Sequence, residues 1–204
     1  MIRLLKNRRG LSEVITTLII LVVSILLATV VVYFAVNVVG TRVQEEALNL
    51  SRQHIWANAT GVQGTPSYTL ASVMIVNTGG RDVVLDEIDV RGQNCPWNQS
   101  TDPTNQKFLL YCTLNSSISP DLGYVYNFNC SNSAGNTEVL GGVQYNFTVP
   151  SNKLILKSGN AMLVYIVNPD SISVPDVGLT TSITIHSAQA VYIKETNIQA
   201  VASS

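Results

Sequence analysis

Six Asn-x-Ser/Thr tripeptides, at Asn49, Asn58, Asn98, Asn115, Asn129 and Asn146, carry the most repeated chemistry in this sequence, the transfer of a glycan to a side-chain amide. None has Pro in the middle and most fall in turn-rich stretches, so together they suggest a glycosylated exterior. The plainer alternative is a surface rich in Asn, Ser and Thr. Cys95, Cys112 and Cys130 are the only cysteines. In an exported chain they allow one disulfide and leave one buried thiol, with the pairing open. The only histidines, His54 and His186, are expected in satisfied structural roles. Asp86, Glu87 and Asp89 offer oxygens to a calcium ion, but such a site needs more ligands, and a solvated strand edge accounts for them. Trp56 and Trp97 are expected in packing or at an interface, with an adhesive role open for Trp97 in its polar loop. There is no His-Glu-x-x-His, no Cys-x-x-Cys, no phosphate-binding Gly-rich loop and no Gly-x-Ser-x-Gly. No catalytic residue, metal or cofactor is expected.

The elements that must position these groups differ sharply along the chain. Of 204 residues, 46% are hydrophobic and only 12% charged, a low charged share for a soluble protein. The apolar excess is concentrated, because no residue from Val14 to Thr41 carries a charge. That run exceeds the ~20 residues that cross a bilayer as a helix and the about 7 to 15 of a secretory signal core. Pro is absent from position 11 to about 57 and Gly is first met there at position 40, which predicts one continuous helix over residues 11–58. Its many Val and Ile residues suit a helix solvated by apolar neighbours. Past Gly40, Val39, Val43, Ala47 and Leu50 recur at spacings of three and four, with Arg42, Glu45, Glu46 and Arg52 on other faces. The predicted helix becomes amphipathic there and reaches a length on the order of 70 Å.

Downstream the pattern is strand and turn. Strands are expected at Tyr68–Val76, Val83–Val90, Lys107–Leu114, Gly123–Asn129, Val143–Val149, Leu154–Leu156, Met162–Val167, Ser182–Ser187 and Ala190–Lys194. Turn signals separate them, among them Asn77-Thr78-Gly79-Gly80, Gly141-Gly142 and Lys157-Ser158-Gly159-Asn160. The expected class is α+β, a long N-terminal hydrophobic helix followed by an Ig-like antiparallel β-sandwich over residues 61–204.

Charge orients the chain. Arg3, Lys6, Arg8 and Arg9 are four of the twelve cations and all precede the apolar run, so they hold the tip in the cytoplasm and place the C-terminal part outside. The eight remaining cations face thirteen anions, which argues against a nucleic-acid surface. The junction Lys6-Asn-Arg-Arg-Gly-Leu-Ser-Glu and the apolar run after it resemble the class III signal peptides of archaeal type IV pilins and archaellins. The resemblance implies that a membrane-embedded prepilin peptidase cuts between Gly10 and Leu11, after the basic pair Arg8 and Arg9, and removes residues 1–10. It also implies that the helix is retained for assembly. Glu13, three residues past that bond, is expected to offset the helix dipole or the new amine, in its own or a neighbouring subunit. Bacterial pilins carry their Glu slightly further into the helix and often a helix-interrupting Pro, so both features favour the archaeal branch. The strand and turn Val73-Met74-Ile75-Val76-Asn77-Thr78-Gly79 are similar in general form to archaeal pilin sandwiches.

An apolar helix gains almost nothing from the hydrophobic effect on moving from lipid into a bundle of like helices, so assembly needs packing and a motor. The resemblance implies a cytoplasmic ATPase and a polytopic platform protein as partners, beside copies of the chain itself. The expectation is a structural subunit of an adhesion pilus, in the cytoplasmic membrane as a precursor and in a surface filament when mature. An archaellin of a swimming filament is a close variant. A membrane-anchored extracellular binding protein is a second class, and a membrane-anchored enzyme, which a cluster of polar side chains in a deep cleft would revive, is a third.

Overall fold

The computed structural model of the chain describes residues 4–43, 45–58, 69–97, 107–125, 128, 136–169 and 172–201. It divides into two compact units, Met1–Gln44 and Glu45–Ser204. The first is the helix α1, Leu4–Val43. Its 40 residues make it about 60 Å long at 1.5 Å per residue. The helix therefore starts ahead of Leu11 and does not run on to residue 58.

In place of that continuation stands strand β1, Leu48–Ala57. Leu48 and Leu50 are buried while Asn49 between them is exposed, the alternation of a strand. Arg52 then adopts φ 53°, and the pairing register breaks between Ser51 and His54. This bulge inserts residues that shift the parity, so that Leu48, Leu50, Ile55 and Ala57 all reach one core. The helical spacing of Val39, Val43, Ala47 and Leu50 thus ends with α1, and burial in the sheet decides the conformation from Leu48 on.

The other strands are β2 (Thr69–Asn77), β3 (Val83–Val90), β4 (Gln93–Asn94), β5 (Phe108–Leu114), β6 (Thr137–Leu140), β7 (Val143–Asn146), β8 (Leu154–Leu156), β9 (Ala161–Val167), β10 (Thr180–Ser187) and β11 (Val191–Ala200). Nine of the eleven strands, β1 included, form one curled sheet in the order β4-β3-β10-β11-β1-β2-β9-β5, with β8 also on β3, while β6 and β7 make a separate hairpin. The sheet is mixed, not purely antiparallel, because β1 runs parallel to the end of β11 over Ile55↔Ile198, Trp56↔Gln199 and Ala57↔Ala200. The strand expected over Gly123–Asn129 is absent at its described positions, 123–125 and 128. That segment instead lies over the sheet, where the Tyr165 hydroxyl donates to Gly123 O at 3.0 Å and Leu122 and Val125 are buried.

Curling brings the two ends of the sheet face to face. Ala71, Val73 and Ile75 of β2 and Met162, Val164 and Ile166 of β9 share a core with Ile88 of β3 and Ile183 and Ile185 of β10. The opposite faces of β2 and β9 are buried as well, since Leu70, Met74, Leu163 and Tyr165 pack with Leu122, Val125, Leu140 and Phe147. Burial on both faces explains why β9 reads as Ala-Met-Leu-Val-Tyr-Ile-Val, an unbroken apolar run. Phe128 and Phe147 both sit edge-on or tilted to Tyr165, with centroids at 5.0 and 5.2 Å. In the β6–β7 hairpin, Gly141 and Gly142 have φ of 59° and 84°, the paired positive values of a two-residue turn, and a Cβ on Gly141 would meet Pro120 Cγ at 2.3 Å.

Where the domain begins, one buried side chain ties four segments together. Asn77, fully buried at the end of β2, donates through Nδ2 to Arg81 O at 2.8 Å and Leu156 O at 3.0 Å, and its Oδ1 accepts from Gly79 N at 3.0 Å. Its backbone N–H donates to Asn160 O, and its carbonyl accepts from Gly159 N. The turn it shapes grips the entry to β1: Thr78 and Gly79 N–H both donate to Ala47 O, and Gly80 N–H to Glu45 O. Gly79 admits no side chain, because a Cβ would lie 2.6 Å from Glu45 O and 2.7 Å from Ala47 N. Asn77→Ala leaves the Arg81 and Leu156 carbonyls without their side-chain donor, while Gly79 N–H keeps Ala47 O, and is expected to cost about 2 to 4 kcal/mol. In thermal unfolding followed by circular dichroism, that appears as a Tm lowered by roughly 5 to 15 °C.

Candidate functional site

The feature that sets this chain apart is the surface of α1. From Gly10 to Thr41 the helix is long and apolar enough to cross a membrane, and none of that stretch is buried. Leu18, Ile19, Ile20 and Leu21 are consecutive, so they point to all sides of the helix, and each is 55 to 62% exposed. Such a helix is compatible with a membrane anchor or a signal.

Six polar side chains within this stretch turn their hydrogen bonds inward. Thr16 donates to Ser12 O, Thr17 to Glu13 and Val14 O, Ser24 to Ile20 O, Thr29 to Ile25 O and Thr41 to Asn37 O. Asn37 Nδ2 donates to Tyr33 O at 3.0 Å. Donors bonded to carbonyls one turn back do not have to be desolvated unpaired, as the apolar medium requires. Sequence reading passed over these residues, although their intrahelical partners follow from type and position alone.

The candidate processing residues lie at the start of this stretch. Arg8, Arg9, Gly10 and Leu11 are consecutive residues of α1, with no break at the Gly10–Leu11 bond. Gly10 is exposed with open space around its Cα, and Leu11 is 66% exposed. Glu13 is exposed and lies more than two turns inside α1, so in the uncut chain it does not neutralise the helix end. It enters the first turn only in a chain that begins at Leu11.

The sequons separate by environment. Asn49, Asn115 and Asn146 are exposed, on β1, just after β5 and at the end of β7. Asn58 is 4% exposed and its Nδ2 donates to Tyr124 Oη at 3.3 Å. Its amide is turned into packing in the folded domain. Asn98 and Asn129 lie outside the described residues, as does Cys130. Cys112 is a free thiol. Cys95 is buried in the core between the sheet ends and Cys112 packs at the margin of the core on the other face, so the pairing Cys95–Cys112 is excluded. Burial pushes the Cys112 thiol up from its ordinary value, against a hydrogen bond from the Asn146 backbone.

The histidines and acids are occupied by one another. His54 Nε2 lies 3.0 Å from Asp121 Oδ1, and its ring stacks on Trp56 with centroids 5.1 Å apart. His186 Nε2 lies 3.0 Å from Asp89 Oδ2. Lys153 donates to Asp86 and Asn94 to Glu87. Trp56 is buried, and Trp97 is half-buried against the core between the sheet ends. No group of three His, Cys, Asp or Glu placed to hold a metal occurs among the described residues. Neither the protein-family models nor the curated proteins searched contain a match to this chain.

Glycopeptide mass spectrometry of the native protein is expected to find glycan at Asn49, Asn115 and Asn146 and bare Asn58. Burial pushes the Asp121 carboxyl up, but its hydrogen bond and charge interaction with His54, with help from Leu122 N–H and Arg52, outweigh that and hold it below the usual range. Its contribution is thus present above the ordinary Asp pKa of ~3.9 and is lost as pH falls through the lower folded value. Asp121→Asn is expected to lower Tm by about 1 to 3 °C near neutral pH, with the difference from the native protein closing below about pH 4.

Proposed function

We propose that this chain is the precursor of a structural subunit of an archaeal type IV pilus-like surface filament, which polymerises through α1 and serves adhesion. One observation carries the reading. The junction Arg8-Arg9-Gly10-Leu11 leads directly into a helix whose apolar side chains are uncovered on every side and whose Ser, Thr and Asn side chains bond inward. A simple anchor explains the cations and the apolarity, but not the length. The 32 residues from Gly10 to Thr41 extend about 48 Å against a hydrocarbon core of ~30 Å.

The domain reading that goes with this is an immunoglobulin-type sandwich. The order β1-β2-β9-β5 in one half and β3-β10-β11 in the other parallels the A-B-E-D and C-F-G sheets of that fold, with β1 staying on β2 across its bulge and adding a parallel contact to β11 at its end. In the filament the sandwich and its glycans face solvent while the helices form the polymer core. Separating those helices into water would expose apolar surface worth tens of kcal/mol at ~25 cal/mol per Å², so the polymer resists dissociation. A prepilin peptidase removes the leader, and a cytoplasmic ATPase with a membrane platform protein supplies the work of extraction.

The test is the N-terminal residue and assembly state of the native protein, from mass spectrometry of sheared surface material with electron microscopy beside it. The expected result is a chain beginning at Leu11 in filaments, after which loss of attachment or of swimming in a deletion strain separates pilus from archaellum. An uncut chain found only in membranes would sink the proposal and leave a single-span anchor carrying an extracellular binding domain.

A further inference from the structure

We infer that the leader turns of α1, residues 4–10, form a weakly held helical extension that has to unwind before the Gly10–Leu11 bond can be cut. The inference rests on the processing reading above and adds a conformational requirement to it. Helix α1 is continuous from Leu4 through Val43, so the bond proposed for cleavage lies inside a helix. There the Gly10 carbonyl accepts from the N–H of Val14, and the Leu11 N–H donates to the carbonyl of Asn7. Hydrolysis adds water across the Gly10–Leu11 peptide, leaving a carboxylate on Gly10 and an amine on Leu11. The carbonyl oxygen must take up negative charge on the way and be met by the protease's own donors. A helix-bonded carbonyl is turned away from such donors, and neighbouring turns crowd its carbon. The bond is therefore presented only when the hydrogen bonds accepted by residues 4–10 are released.

Three independent features make this segment easy to unwind. Gly10 is the poorest helix former short of Pro, and its surroundings are open, so no packing holds it. Lys6, Arg8 and Arg9 place cations in the first turns, at the positive end of the helix dipole, and the first turn has no acid to offset them. Asn7 competes with the helix for its own backbone groups. Past Leu11 the balance reverses, because the apolar run has no medium but lipid in which to leave its backbone unpaired. The helix is thus weak up to the bond and strong beyond it. Unwinding stops where the mature chain begins.

The test changes helix stability without touching Arg8, Arg9 or Gly10. Asn7→Ala and Asn7→Gly remove the same side chain but differ about fivefold in helix equilibrium at one position. The full-length variants are produced with the prepilin peptidase in membranes, with cleavage timed by size shift and the new N-terminus read by mass spectrometry. Amide hydrogen exchange of residues 8–14 in micelles reports helicity in the same proteins. Asn7→Ala is expected to be better protected and to be processed several-fold more slowly than Asn7→Gly. Equal cleavage rates with different protection overturn the unwinding requirement, equal protection overturns the helical extension, and both leave the processing reading intact. Failure of the unsubstituted chain to be cut after Gly10 overturns the processing reading itself.

Discussion

A single buried amide sets the geometry from which the β domain is built. Asn77 leaves no polar atom of its side chain unpaired, and its partners come from the β2–β3 turn and from β8. Its backbone also holds the turn that leads into β9. In a core this apolar an unpaired amide or carbonyl is costly, so the segments are fixed together or not at all. The same turn fastens residues 45–47, which places the start of β1 beside β2 immediately after the helix ends. Gly79 completes the corner because the backbone of residues 45–47 passes where any side chain would stand.

The two units obey opposite solvent rules. In the β domain apolar side chains turn inward to two cores on either side of β2 and β9, and polar groups are spent on partners or on water. In α1 the apolar side chains turn outward, and Thr16, Thr17, Ser24, Thr29, Asn37 and Thr41 fold back onto the helix. Each arrangement is stable only in its own medium. A chain with both needs a boundary, and the change from helix to strand between Val43 and Leu48 is where it falls. The functional proposal follows from that division, since the outward apolar surface is what other copies would cover.

Much of this was legible in the sequence. Val83–Val90 and Leu154–Leu156 coincide with β3 and β8, and β2, β5, β9 and β10 fall within a residue or two of their expected limits. β1 was illegible for a definite reason. The spacings of three and four from Val39 through Val43 and Ala47 to Leu50 carry the pattern of α1 past its end, and of these residues only Leu50 lies in β1. The segment around Gly123 failed differently, because its aromatic and apolar residues pack on the sheet without joining a ladder. Among the sequons nothing local separates Asn58 from Asn49. One meets Tyr124 across the fold and the other meets water.

The sequence by itself determined whatever depends on neighbours in the chain. These are the long apolar helix, the basic junction at Arg8 to Gly10, the inward bonding of its hydroxyls and the Gly-Gly turn of the β6–β7 hairpin, since helices and two-residue turns close their hydrogen bonds within a few residues. Only the tertiary structure decided that β1 is a strand, that the sheet closes through a parallel contact with β11, and that Cys95 and Cys112 lie on opposite faces. Strand pairing and burial join residues more than a hundred positions apart, as with Ile55 and Ile198, and no local propensity encodes which distant edge will complete the ladder.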